Sequence, residues 1–314
     1  MPYRTYSIAM PTPFRRITRR EGMLVEGPAG WAEFSPFLDY DAAECAPWLA
    51  AALESAQHDW PTPLRDRIPV NCTVPAVGPD EAARIVRVSG CSTAKVKVAE
   101  KGQSIGDDIQ RVEAVREAIG PRGHVRVDAN GGWSVDAAVS AIAALNIAAH
   151  GLEYVEQPCA SVEDLAAVRR KVAVPIAADE SIRRAADPLR VVELGAADIA
   201  VLKVAPLGGV QACLRIAEQI GLPVVVSSAV ESSIGLAAGL ALAAALPDLP
   251  HACGLATTSL LDGDAVASPL RPVDGFLPVG RQVLDEAAYA AIAADAETDA
   301  RWQQRLADVQ AVLA

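Results

Sequence analysis

The sequence predicts an α/β protein whose main body is a closed barrel of alternating strands and helices, preceded by a small α+β unit. From about Ile68 onward, short β-branched runs alternate with longer Ala-rich segments of helical periodicity, recurring roughly every 20 to 30 residues about seven times. The runs have the high Val and Ile content of parallel strands buried on both faces. The alternative, an open doubly wound sheet, lacks its usual glycine-rich phosphate turn, because "PLGG" at Pro206 to Gly209 is too short for GxGxxG.

In chain order, "TYSIAM", "GMLVEG" and "GWAEFSP" read as antiparallel strands joined by turns, and "AAECAPWLAAALESA" as a helix. Residues 1–67 therefore form a small capping unit. The barrel strands follow over 68–280: "IPVNCTV", "TAKVKVA", "HVRVDA", "LEYVEQ", "VPIAADE", "DIAVLKV", "LPVVVSS" and a weaker "HACGLAT". Helix starts fall between them at Pro79-Asp80, Ser134, Ser161 and Ser232 or Ser233. Residues 281–314 contain a further helix, from about Asp285, expected to pack back on the capping unit.

A chain of 314 residues with net charge −11 has ample material for a core and argues against nucleic-acid or acidic-membrane binding. Arg15, Arg16, Arg19 and Arg20 form the one basic cluster, and without aromatic interleaving or a basic helix it reads as a solvated loop or hairpin. No continuous apolar segment reaches the ~18 residues of a membrane span, so a cytoplasmic protein is expected. Six scattered cysteines, without a CxxC pair or a His at zinc spacing, read as reduced and structural.

Barrel chemistry sits at the C-terminal ends of the strands, and three successive strands end in acids there: Asp128, Glu156, and the pair Asp179 and Glu180. Three converging carboxylates, partly desolvated, would repel unless a cation lies among them. Oxygen-only donors suit a hard ion such as Mg²⁺, with only one of the Asp179/Glu180 pair facing it; capping of the following helices is the other use for such acids.

Lysines flank the acidic arc. Lys95 and Lys97 lie two apart in "TAKVKVAE" and so share a face, and Lys203 lies in the strand beyond the arc. Each could be a salt-bridge partner of a neighbouring acid. A lysine works as a base only when neutral, and both Lys95 and a metal would disfavour the charged form of Lys97, which lies nearer the strand end. The chemistry that uses both halves is proton abstraction next to a carboxylate. Arg126 shares the face of Asp128 and is placed either to bind a second substrate carboxylate or to pair with neighbouring acids. "SSAVESSIG" from Ser227 adds hydroxyls, Glu231 and a helix start that would suit an anionic group.

Taken together, "GWAEFSP", "AKVKVA", "VDANGGW", "YVEQP", "IAADES", "LKVAPLGG" and "SSAVESSIGL" resemble, in order and spacing, the enolase superfamily and within it the o-succinylbenzoate synthase family of menaquinone biosynthesis. The resemblance implies a modified (β/α)₇β TIM-type barrel under an α+β cap. It also implies Asp128, Glu156 and Asp179 as ligands of Mg²⁺ (or Mn²⁺), Lys97 as the base of a KxK motif, and Lys203 across the substrate. Lys95, Arg126, Asn130, Ser227 and Ser228 would line or support the site. The implied reaction is syn dehydration of a small carboxylate, 2-succinyl-6-hydroxy-2,4-cyclohexadiene-1-carboxylate, to 2-succinylbenzoate. The same frame also serves N-acylamino acid racemases and dipeptide epimerases, and a barrel that binds a carboxylate without turnover is the reading from another class.

Overall fold

Three antiparallel strands, β1 (Tyr3–Phe14), β2 (Ile17–Gly27) and β3 (Gly30–Phe34), open the computed structural model, which describes residues 2–15, 17–184 and 187–313. Helix α1 (Ala42–Gln57) packs on them, its first turn capped by Asp41, which accepts the Glu44 N–H at 2.8 Å.

The segment "IPVNCTV" does not enter the barrel whole. β4 (Arg67–Pro69) pairs antiparallel with Phe276–Pro278, and only β5 (Cys72–Val74) joins the parallel sheet. From there strand and helix alternate: α2 (Pro79–Ser89), β6 (Thr93–Lys97), α3 (Ile105–Ile119), β7 (His124–Asp128), α4 (Val135–Ala148), β8 (Val155–Glu156), α5 (Val162–Arg169), β9 (Ile176–Ala178). Two single-turn helices, α6 (Glu180–Arg183) and α7 (Arg190–Glu193), precede β10 (Ile199–Leu202), α8 (Val210–Ile220), β11 (Val224–Val226) and α9 (Ser233–Ala245). The chain ends with β12 (Phe276–Pro278), α10 (Glu286–Ile292) and α11 (Ala296–Leu313).

Strands β5 to β11 lie side by side in sequence order, all parallel. The weak eighth run, "HACGLAT", supplies two bridges that join the sheet's ends, Val70 to Cys253 and Ser227 to Gly254. Cys253 N donates to Pro69 O at 2.7 Å and Gly254 N to Val226 O at 2.8 Å. Val74, Val96, Val127, Val155, Ile176 and Leu202 belong to the large core shared with the surrounding helices, whereas Tyr154, Ala177, Ile199, Val201 and Val225 form a separate small cluster. Period-2 alternation thus sends one parity of each strand outward and the other into the barrel.

Trp302, Leu306 and Val309 of α11 pack with Met23, Phe34 and Trp48, so the chain's two ends share one apolar cluster, in which Ala205 and Ala229 of the barrel also take part. All six cysteines are buried and unpaired. Among the described residues no helix is long and apolar enough to cross a membrane.

Candidate active site

Strand register assembles the site. Lys97 is the partner of Asp128 across β6 and β7, and Asp128 the partner of Glu156 across β7 and β8. Glu156 pairs with Ala177, so Asp179, two residues further along, rises on the same face. Lys203 and Ser227 follow Leu202 and Val226, which are partners in turn. These side chains are buried at one end of the barrel.

Lys95 Nζ touches two carboxylates at once, Asp128 Oδ2 at 3.1 Å and Glu156 Oε1 at 2.8 Å. Lys97 Nζ donates to Asp128 Oδ2 and to Asn130 Oδ1, both at 2.5 Å. Lys203 Nζ meets Asp179 Oδ2 at 2.6 Å, while Arg183 holds the other oxygen of Asp179 at 2.9 Å. Burial pushes the Lys97 ammonium toward neutrality and the Lys95 charge adds to this, outweighing the pull of Asp128. Burial acts on Lys95 too, but Glu156 and Asp128 outweigh it and hold its pKa well above the usual lysine range. Among the carboxylates, burial and the Asp128 charge drive Glu156 up to about 7, whereas the lysines outweigh burial at Asp128 and hold it well below the usual carboxylate range.

The donor set fits a hard divalent cation in its chemistry: three buried carboxylates on adjacent strand ends, two of them already bridged by one cationic group, the Lys95 ammonium. Among the described residues no three carboxylates converge at ligand distance; Lys95, Lys97, Lys203 and Arg183 instead pair with Asp128, Glu156 and Asp179.

Lys95, Lys97, Asn130, Lys203, Ser227 and Ser228 line one cavity of about 30 Å³, closed over by Phe14, Arg15 and Phe37. That is room for about one water. The cavity shares Arg15, Phe37 and Asn130 with a cleft of about 610 Å³.

Arg126 is not in this cavity. It lies one layer deeper, fully buried, with its guanidinium on Glu153 at 2.6 Å, Ala252 O at 2.7 Å, and Asn71 and Tyr154 at 3.1 Å. Pairing with a neighbouring acid is the alternative realised. The start of α9 is likewise taken: Ser232 N and Gly235 N donate to Glu33, and Ser233 N to Asp264, so those donors are not available to an anionic group. Glu180 turns from the carboxylate row to Arg183 and Asn130. The basic cluster is not one solvated patch either. Arg19 is exposed on Ser7, Arg15 stacks on Phe37 at the cavity mouth, Arg20 is buried, and Arg16 lies outside the described residues.

Gln157, Arg183 and Tyr40 support the site without a motif that marks them in the sequence. Gln157 Oε1 accepts the backbone N–H groups of Asp179 at 3.0 Å and Ser181 at 3.2 Å, tying the ends of β8 and β9 together. Arg183 links Asp179 to the Tyr40 hydroxyl of the N-terminal unit at 2.8 Å. The only local signals were Gln157 beside Glu156 and Arg183 one helical turn after Asp179.

Residues 79–283 match the family described as enolase C-terminal domain-like, and residues 5–56 the one described as enolase N-terminal domain-like. An o-succinylbenzoate synthase from Thermobifida fusca is 63% identical over 311 residues, covering 99% of this chain and 96% of that protein. The chain belongs to the o-succinylbenzoate synthase family of the enolase superfamily. A second protein of that name, from Mycolicibacterium smegmatis, is 56% identical over 99% of this chain and 96% of its own length. The fold is also that of a dipeptide epimerase from Enterococcus faecalis, solved with Mg and the dipeptide L-Leu-L-Tyr: TM-score 0.73 and 24% identity over 90% of this chain and 97% of that one. Members of this superfamily use a divalent metal, typically Mg²⁺.

Proposed function

We propose that the chain is a hydro-lyase that dehydrates 2-succinyl-6-hydroxy-2,4-cyclohexadiene-1-carboxylate to 2-succinylbenzoate and water. The observation that carries this reading is the near-full-length likeness, at 63% identity, to a protein named o-succinylbenzoate synthase. A buried cavity lined by Lys97 and Lys203, with three carboxylates beside it, supports it.

Asp128, Glu156 and Asp179 would hold Mg²⁺. When bound, the ion neutralises the substrate carboxylate and stabilises the charge that develops on it. Lys97, pushed toward neutrality by burial and by Lys95, removes the proton next to that carboxylate. The resulting ammonium donates the same proton to the departing hydroxyl on the same face, so the step is a syn elimination that releases one water. Lys203 Nζ, from the opposite wall, faces the dianionic enediolate and compensates its charge. Asn130 Oδ1 and Asp128 Oδ2 orient the Lys97 amine. Ser227 and Ser228 line the remaining wall.

Two lysines facing each other also suit two-base epimerisation of an N-acylamino acid, which defines the test. The cyclohexadiene substrate is supplied with Mg²⁺ and aromatic product is followed, while N-succinylamino acids are tested in parallel for solvent deuterium exchange. Aromatisation that stops on chelation is expected. Racemisation without aromatisation would overturn the assignment, and binding of Mg²⁺ and carboxylate with no conversion of any substrate would leave only a binding barrel.

A further inference from the structure

Beside the cavity, at the seam between the N-terminal unit and the barrel, lies a buried polar cluster that the reaction does not use directly. Arg20 of β2 is 2% exposed. A buried guanidinium is ordinarily matched with a carboxylate, yet among the described residues Arg20 makes no ion pair. Its donors go instead to backbone carbonyls and one hydroxyl: Nε to Val230 O at 3.0 Å, Nη2 to Ala229 O at 3.3 Å, Ser35 Oγ at 2.9 Å and Ser35 O, and Nη1 to Glu21 O at 2.9 Å. Its face stacks on Phe37 at 4.7 Å, and Phe37 is itself a cavity wall.

The carbonyls it grips belong to an unusual turn. Val230 has φ +66°, a left-handed conformation that a β-branched side chain strongly disfavours. Such a residue persists only where its surroundings over-determine it. On the far side, Glu33 of β3 accepts Ser232 N at 3.0 Å and Gly235 N at 3.2 Å, and also the Ser232 hydroxyl, which pins the start of α9. Glu231 accepts Ala229 N at 2.7 Å within the turn. Ser227, Ser228, Ala229 and Val230 all line the cavity that holds Lys97 and Lys203.

We propose that Arg20 is a positioning residue: its guanidinium fork, gripping the Ala229 and Val230 carbonyls, holds the Ser227–Val230 wall of the cavity in a backbone conformation that the turn would not keep alone. The proposal rests on the reading of the site as a dehydration site. The fork is essential and the charge is not, because Nε and Nη2 reach two consecutive carbonyls that one ammonium cannot hold in the same geometry. Arg20 thereby shapes the wall facing the substrate without itself lining the cavity.

The test is a double-mutant cycle between Arg20→Lys and Val230→Gly, read as KM and kcat for dehydration and as amide hydrogen exchange over residues 227–232. Arg20→Lys keeps the charge and should raise KM at least fivefold, more than it lowers kcat, with faster exchange confined to that segment. Glycine adopts φ +66° without strain, so with Val230→Gly present the same Arg20→Lys change should move KM and exchange less than twofold. An unchanged KM, or an equal penalty in both backgrounds, overturns the clamp. Should Arg20→Lys fail to fold alone, recovery of the fold by Val230→Gly supports the clamp and no recovery overturns it. If the wild-type chain converts no cyclohexadiene substrate, the reaction reading fails separately, and the exchange cycle alone decides the clamp.

Discussion

Glu153 sits beneath the site, between His251 Nδ1 at 2.8 Å and Arg126 Nε at 2.6 Å. Burial pushes its carboxyl up, but hydrogen bonds from His251 and Arg126 outweigh burial and hold it at about 2, against an ordinary 4.5. A carboxylate with a depressed folded pKa adds stability above its unfolded pKa and loses it as pH falls through the folded one. The stability difference between wild type and Glu153→Gln should therefore be full above pH 4.5 and shrink as pH falls toward 2. Thermal melts across that range check it, and a difference independent of pH would contradict it. Alternation along β7 is legible in the sequence and puts Arg126 and Asp128 on one face. Depth is not. Two residues along a strand are about 7 Å, enough to put Arg126 in the layer of Glu153 and Tyr154 while Asp128 reaches the lysines.

At the scale of elements, helix starts with local caps were legible, because Ser134 and Ser161 cap N–H groups three residues on. α9 was legible as a helix starting at Ser232 or Ser233, but its capping partner was not. Its cap is Glu33, 199 residues from Ser232, and no local pattern encodes a partner so distant. Gly235 makes room for it: a Cβ there would lie 2.8 Å from Glu33 Oε2 and from Glu231 Cβ. Gly235→Ala should cost about 1–3 kcal/mol through that clash, outweighing the gain in helix propensity of up to about 1 kcal/mol. Urea denaturation should show a lower midpoint, and a stabilised Gly235→Ala variant would contradict the cap. The split of "IPVNCTV" at Val70 was out of reach, since it depends on pairing with Phe276–Pro278 and Cys253, whereas "HACGLAT" reads as the weakest strand and makes two single bridges.

For the molecule as a whole, the repeating strand–helix pattern made the barrel legible, and the acid-bearing strand ends pointed to the candidate site. The cap itself was expected, but the contacts by which Tyr40, Arg20 and Glu33 reach the barrel were not legible, because no periodicity announces them. Trp302 ties the chain's last helix to that unit, fully buried with its ring edge-on to Phe34 at 6.0 Å. Trp302→Ala should cost about 3–5 kcal/mol, and an unchanged melting temperature would contradict its place in the core.

If Lys97 moves the proton in the dehydration, removing its amine must abolish turnover and leave the fold in place. Wild type and Lys97→Ala are given the cyclohexadiene substrate with saturating Mg²⁺, and aromatic product is timed, with near-UV circular dichroism confirming the fold. Asp128 keeps Lys95 as a partner in the variant, so folding should persist. A loss of activity on the order of 10²–10⁴-fold or more, with the fold intact, is the predicted result. Turnover by a folded Lys97→Ala within tenfold of wild type would contradict the account.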